Sequence, residues 1–405
     1  MRTPLAGLRV LDLSKVLAGP LCAQYLGDMG ADVIKVEAAG SGDETRGWPP
    51  FRTGEGPGAA PTGAIFLSTN RNKRSIQVDL RSAEGRAVVQ HIADGVDIVI
   101  ASFAPGVSKR LGVDEATLRA RNDRLVYCDI SGFGSVGSMR EGKGYDVILQ
   151  AFSGMISITG HADGQPARSP FSPVDQATGL HALIGILAAV IQRGITGRGS
   201  LVEASLFDSA TGFLAYFLQS FWERGTEPVR PGSGHESLCP YEVFDTADKP
   251  LILGVANDTL WRAFCNLAGL DGIVDDPRYA TNAARVQHRA ETVTLVREVL
   301  RRQGRDAWLS QLSAAGIPCS PLHTLGELSA HPHARESGMI FDYDHPALGA
   351  LHSVAQPLRF DGERTTLRRA PPGLGEHGRE VLLEAGYSDA DIAKLAASGA
   401  VHIPG

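Results

Sequence analysis

The stretch "LRVLDLSKVLAGPLCAQYLGDMGADVIKVE", residues 8–37, decides how the chain is read. "LRVLDLS" (8–14) is a short apolar run. "AGPLCAQYLGDMG" (18–30) has helical spacing and closes on a glycine, and "ADVIKVE" (31–37) is a second apolar run. Strand, helix and strand within about thirty residues form a βαβ unit, which requires parallel pairing and a right-handed crossover.

The alternation continues through "KRSIQVDL", the helix-like "SAEGRAVVQHIADG", "VDIVIASF" and "DRLVYCDIS". The first ~200 residues therefore read as an open α/β layer fold. From 195 the composition changes. A helical stretch leads into the Gly/Pro-rich "TEPVRPGSGHESLCP", then a hairpin-like "YEVFDTADKPLILGVAN" with Ala-Asp at its turn, and two helical stretches. The expected division is a large α/β domain over 1–200, a linker helix over 201–224, and a small α+β domain over 225–325. A linker and a return to the large domain then occupy 326–405.

Composition narrows the function classes. With 405 residues, 43% hydrophobic and 21% charged, the chain has ample apolar material for cores. Its 47 glycines follow no period and mark turns. A net charge of −6 argues against nucleic acid as the main partner. The five cysteines, at 22, 128, 239, 265 and 319, form no CxxC motif and read as free thiols in a reducing compartment. The opening residues lack a charged region followed by an apolar one, and the apolar run 179–191 is short for a bilayer. The expectation is a cytoplasmic protein with no membrane partner.

Several motifs fall short of their patterns. "GSMREGKG" (137–144) nearly matches a phosphate-binding loop, but Gly144 stands where the Mg²⁺-binding hydroxyl belongs, leaving Lys143 as a candidate anion contact. "GSGDETRG" (40–47) lacks dinucleotide spacing and reads as a surface loop, with Arg46 able to reach a ligand. "NRNKRS" (70–75) reads either as a solvated turn or as a phosphate contact at the sheet edge. The histidines of "HPHARE" (331–336) and "DYDHP" (342–346) lack a matched third metal ligand and read as structural. There is no G-x-S-x-G elbow.

In "SPVDQATGLHALIGILAAVIQRG" (172–194) one carboxylate precedes a long apolar helix. Asp175 is either an N-cap, accepting from the backbone N–H of Ala177 or Thr178, or a chemical group. Thr178 at the third position provides no capping box.

The opening segment (4–47), "NRNKRSIQVDL", "GYDVILQAFSGMISITG", "PVDQATGLHALIGILAAVIQR" and "TGRGSLVEASLFD" resemble, in this order, the class III (CaiB/BaiF-type, formyl-CoA transferase-like) CoA-transferases. The likeness runs from about residue 5 to "RAPPGLGEHGREVL" near the end. It implies a Rossmann-like large domain built from both chain ends, a smaller inserted α+β domain, and an interlocked homodimer. It implies acyl-CoA and a small carboxylic acid as substrates, with no permanently bound cofactor and no metal.

By the same resemblance Asp175 is the nucleophile. Val16, Leu17 and Ala18 line the CoA site at the first strand–helix turn, and Phe103, Arg110 and Lys143 match CoA-contacting positions. Arg74 and Tyr145 are placed with this set. Arg46, Gly234 and His235 are acceptor-side candidates, with Arg71 and Arg168 as further carboxylate anchors. A carboxylate of ordinary pKa, ~3.9, is ionised at neutral pH and needs no base. Its attack on a thioester gives an aspartyl anhydride and then an aspartyl-CoA thioester, which the acceptor acid opens.

Two departures bear on specificity. The oxalate enzymes carry an arginine after the second strand's glutamate, where Ala38 follows Glu37 here, and their glycine run has only "RPGSGHESLCPYE" as a counterpart. The related α-methylacyl-CoA racemases place a histidine base in a "GHD" motif ahead of the aspartate. Tyr145, in "GYD", occupies that place and is a poor base at neutral pH. Transferase is therefore the expected activity, with racemase and an inert scaffold as alternatives. Succinate, malate, mesaconate, glutarate and citramalate are the acids that the resemblance suggests.

Overall fold

A computed structural model describes residues 3–54 and 60–404. The chain forms two compact units. One comprises the chain through Ser153, Ser169–Gln219, and the residues from Pro332 on; the other comprises Gly154–Arg168 and Ser220–His331.

The first unit is built on a seven-stranded sheet. Its order across the sheet is Val401–His402, Lys73–Val78, Asp32–Ala38, Arg9–Leu13, Ile98–Ala101, Val126–Ser131, Leu201–Ser205. Six strands run parallel and Val401–His402 pairs antiparallel with Lys73–Val78. The parallel strands therefore run third, second, first, fourth, fifth, sixth, the doubly wound order. Val10, Leu11, Val33, Ile34, Val99 and Ile100 are fully buried, as expected of strands covered on both faces. Val381, Leu382, Ile392 and Val401 from the late chain share a core with Ile76, Val88 and Val99.

The 201–224 stretch is not simply a linker. Leu201–Ser205 is the outer strand of the main sheet, and the helix Leu206–Phe213 follows, capped by Ser205. The helical periodicity after 206 hid the short strand before it, because an edge strand buries little surface. The helix Pro173–Thr196 is longer than the apolar run suggested, and by length and composition alone it could cross a membrane. Within this unit it packs tightly. A Cβ on Gly179 would meet the Ala18 carbonyl oxygen at 2.6 Å, and one on Gly185 would meet Val202 at 2.6 Å.

"NRNKRS" is neither a solvated turn nor an anion contact. Residues 70–75 are all buried, and each cation is committed to a carboxylate. Arg71 grips Asp28 (2.6 Å), Lys73 meets Asp12 (2.9 Å), and Arg74 meets Asp32 (2.6 Å) and Glu384 (2.9 Å). Asn72 Oδ1 accepts from the N–H groups of Arg368 and Arg369. A run of charges looks solvated in sequence, but here it fastens the late chain to the sheet.

The second unit carries a three-stranded antiparallel sheet with Leu251–Gly254 between Tyr241–Phe244 and Cys319–Pro321. The expected hairpin forms, and Thr246 Oγ1 braces its loop through Asp248 (2.8 Å) and Lys249 O (2.7 Å). Helices Asp258–Ala268, Arg289–Leu300 and Arg305–Ala314 close over a core around Trp261, Phe264 and Trp308. Residues 154–168 belong to this unit although the sequence placed them in the large domain. Gly232 N–H bonds Gly160 O (2.9 Å), and Arg230 bonds the carbonyls of His161, Ala162 and Gly164.

Candidate active site

In a doubly wound sheet, a crevice opens at the carboxyl ends of the strands where the order reverses. Here that point lies between Arg9–Leu13 and Ile98–Ala101. A cavity of about 420 Å³ sits there, walled by Lys15–Gly19 after the first strand, Ser102–Pro105 after the fourth, and Ile130–Gly132 at the end of the fifth. Glu44, Val107, Gly142–Tyr145, Asp175 and Leu206 complete it. Val16, Leu17, Ala18, Phe103, Lys143, Tyr145 and Asp175, predicted from sequence, thus line one cavity.

The first helix, Ala18–Asp28, begins here without a side-chain cap. Its N-terminal turn presents backbone N–H groups and a positive dipole end, suited to an anionic group. Val16 just before it has φ +72°, unusual for a β-branched residue. Lys15 pairs with Glu44 (2.7 Å), whereas Lys143 is exposed and makes no ion pair among the described residues. A Cβ on Gly132 would meet Gly144 N at 2.6 Å. Glycines at both positions let the two loops that wall this side touch.

Asp175 is not the N-cap. Ser172 holds that position and its side chain makes no cap bond. The cap comes from Asp146, in the "GYD" segment: its Oδ2 accepts from the N–H of Val174 (2.9 Å) and of Asp175 (3.0 Å). Gln150 Nε2 donates to the other Asp146 oxygen and to Ser169 O, which fixes the cap in turn. Asp175's own carboxyl is left free of capping and faces the cavity.

Burial, and then the nearby Asp146 charge, push Asp175 up to about 7. The expectation of an ordinary, fully ionised carboxylate is corrected accordingly. A desolvated carboxylate of raised basicity is a stronger nucleophile once ionised. Asp146 escaped the sequence reading because 28 residues separate it from Val174, and no local pattern announces such a cap.

Other candidates lie elsewhere. Arg46 lines no part of this cavity: it binds Glu37 through Nε and Nη2 (2.8 Å each) and stacks on Phe66 (3.6 Å). Arg71 and Arg74 are held in the ion pairs described above, and Arg74 is corrected as a CoA contact because its guanidinium is consumed by carboxylates. Arg110 is exposed at the end of the short helix Val107–Arg110, and Val107, not Arg110, reaches the cavity wall. Gly234, His235 and Arg168 belong to the second unit. There, His235 Nδ1 accepts from Ser237 N–H (3.1 Å) and its ring stands edge-on to Tyr241. The late histidines serve structure: His345 Nε2 bonds Pro371 O (2.9 Å), and His352 pairs with Asp342.

The model of CoA-transferase family III matches residues 5–378. The succinate–glutarate CoA-transferase of Agrobacterium fabrum is 38% identical over 95% of this chain and 96% of its own length. The human succinyl-CoA:glutarate CoA-transferase is 32% identical over 98% of this chain and 90% of its own. The crystal structure of a CAIB/BAIF family protein from Brucella suis superposes with a TM-score of 0.84 and 36% identity, covering 95% of this chain and all of that one. The chain belongs to CoA-transferase family III and is a CoA-transferase.

Proposed function

We propose that this enzyme moves CoA from succinyl-CoA to a dicarboxylic acid, with glutarate as the first candidate acceptor and Asp175 as the covalent nucleophile. The observation that carries the reading is the placement of Asp175: a free, partly buried carboxyl at the switch-point cavity, beside the uncapped first helix. Succinate and glutarate are named for the Agrobacterium and human relatives.

In the proposed cycle the Asp175 carboxylate attacks the thioester carbonyl, the C–S bond breaks, and CoA leaves as thiolate. The thiolate attacks the Asp175 carbonyl of the anhydride, freeing the donor acid and forming the aspartyl-CoA thioester. The acceptor carboxylate displaces CoA from Asp175, giving a second anhydride. CoA thiolate then attacks the acceptor's acyl carbon and returns Asp175 as carboxylate. Backbone N–H groups in the wall loops are suited to each oxyanion. Lys143 and the first helix's N-terminus suit the CoA phosphates, with Phe103 and the 16–18 segment as apolar wall.

The racemase alternative finds less support. It needs a second base facing Asp175, and among the described residues no histidine lines the cavity, Tyr145 standing at the expected place. An interlocked homodimer fits the exposed apolar stripe of the Asp175 helix: Ile184, Ile191 and Ile195 are 63%, 69% and 83% exposed on one helix face. A cytoplasmic location fits the five unpaired cysteines.

The test is incubation with succinyl-CoA and a panel of carboxylic acids in deuterated buffer, reading CoA products by mass. New acyl-CoA without α-deuterium is expected, glutaryl-CoA first. Deuterium in a 2-methylacyl-CoA without acid exchange would establish the racemase instead.

A further inference from the structure

Val16 is in the left-handed region, with φ +72°, in the wall that faces Asp175. A β-branched residue pays a strain cost there that glycine would not, and such a conformation persists only when its surroundings over-determine it. Beneath Val16 lies a buried device able to do so. Asp43, 3% exposed, receives the Val16 N–H at 3.3–3.4 Å, and its carboxylate is clamped by Thr45 N–H (3.0 Å), Thr45 Oγ1 (2.8 Å) and Lys35 Nζ (2.9 Å).

Lys35, fully buried, also donates to Ser14 O (3.0 Å) and lies 4.0 Å from Asp12. Asp12 receives Ser14 N–H (3.0 Å) and Lys73 Nζ (2.9 Å), and Lys73 continues to Pro20 O (2.8 Å). Two carboxylates and two ammonium groups thus balance, and they bond the backbone of Ser14, Val16 and Pro20, in the loop before the first helix and in its first turn. Removing one member would strand a buried charge.

We propose that Asp43, braced by Lys35, is a positioning residue that holds Val16 in its left-handed conformation and so shapes the CoA-binding wall. Neither Asp43 nor Lys35 lines the cavity with Asp175; both act through the Val16 backbone. The inference rests on the reading of that cavity as the CoA site. Val16 is part of the wall, where glycine would offer no side chain, and the charge quartet offsets the backbone cost.

The test is a double-mutant cycle on the full chain, with binding of free CoA by titration calorimetry as the readout and thermal unfolding in parallel. Asp43→Ala is expected to weaken CoA at least tenfold in the otherwise native protein. In the Val16→Gly background, where positive φ costs nothing, the same change is expected to weaken CoA less than threefold. Equal losses in the two backgrounds overturn the proposal, whatever Asp43→Ala does to the melting temperature. Should Asp43→Ala not fold, Asp43→Asn replaces it: one amide oxygen cannot serve Lys35, Thr45 and Val16 together, so the same inequality is expected and equal losses again overturn it. Native protein that binds CoA yet transfers none would refute the proposed function while leaving this cycle interpretable.

Discussion

One oxygen of Asp146 accepts the N–H groups of both Val174 and Asp175, at 2.9 and 3.0 Å. The carboxylate that starts the Asp175 helix is therefore also the charge that, after burial, helps raise the pKa of Asp175. Capping and tuning are joined in one side chain, and a substitution can separate them.

Asp146→Asn keeps an acceptor for the helix but removes the charge. The pH profile of kcat/KM is expected to move to lower pH. Burial, the larger cause, remains and keeps Asp175 above an ordinary carboxylate. Asp146→Ala should in addition cost about 1 kcal/mol of stability through the lost cap. A profile unmoved by Asp146→Asn would show that the two charges do not communicate.

In the native enzyme, kcat/KM should rise with pH through about 7 as Asp175 ionises. Stability should run the other way. A folded pKa raised above the unfolded value means the native state binds the proton more tightly, so stability is lost as pH climbs from ~4 through 7. Asp175→Asn is expected to abolish transfer and to raise the melting temperature at pH 8, by ~2–4 °C for each kcal/mol relieved. At pH 5 the gain should be smaller, and it should vanish only below ~4, where the unfolded carboxyl is protonated too. Calorimetric melts at the two pH values check this.

Arg74 and Lys143 separate framework from binding. Arg74→Met should lower stability by on the order of 1 kcal/mol by removing the ion pairs to the partly exposed Asp32, Glu380 and Glu384, with CoA affinity unchanged. Lys143→Ala should do the reverse, weakening CoA about five- to tenfold at low salt, less in high salt, with an unaltered melt. CoA titrations beside thermal melts distinguish the two.

Gly179→Leu drives a side chain into the Ala18 carbonyl, where even a Cβ would sit at 2.6 Å. The first helix must move, at a cost of roughly 1–3 kcal/mol. Loss of CoA binding is expected to exceed the loss of stability, since Ala18 is part of the cavity wall.

Local pattern carried the reading wherever a residue's neighbours in sequence were its neighbours in space. The βαβ opening and the hairpin of the second unit were legible for that reason, whereas the wall at 16–18 was implied by the family resemblance. What long-range pairing decides was not. "NRNKRS" looked solvated because its partners, Asp12, Asp28, Asp32 and Glu384, lie up to 310 residues away. Local pattern left Asp175 open between a cap and a chemical group, because the actual cap, Asp146, sits on another helix. The raised pKa could not be read either, since burial is a property of the fold.

Val401 lies opposite Val78 in the main sheet. That pairing closes a loop of roughly 320 residues, among the slowest kinds of contact to form. On the ribosome, the parallel strands emerge first with one flank unprotected, while most of the second unit, Ser220–His331, is a continuous stretch free to fold as it appears. The backbone edge of Lys73–Val78 stays open until the late chain arrives, with Val401–His402 pairing Gln77 and Val78 and the His377 N–H reaching Ser75 O. Interrupted synthesis would therefore leave not a smaller enzyme but a sticky one, its exposed edge ready to recruit other chains.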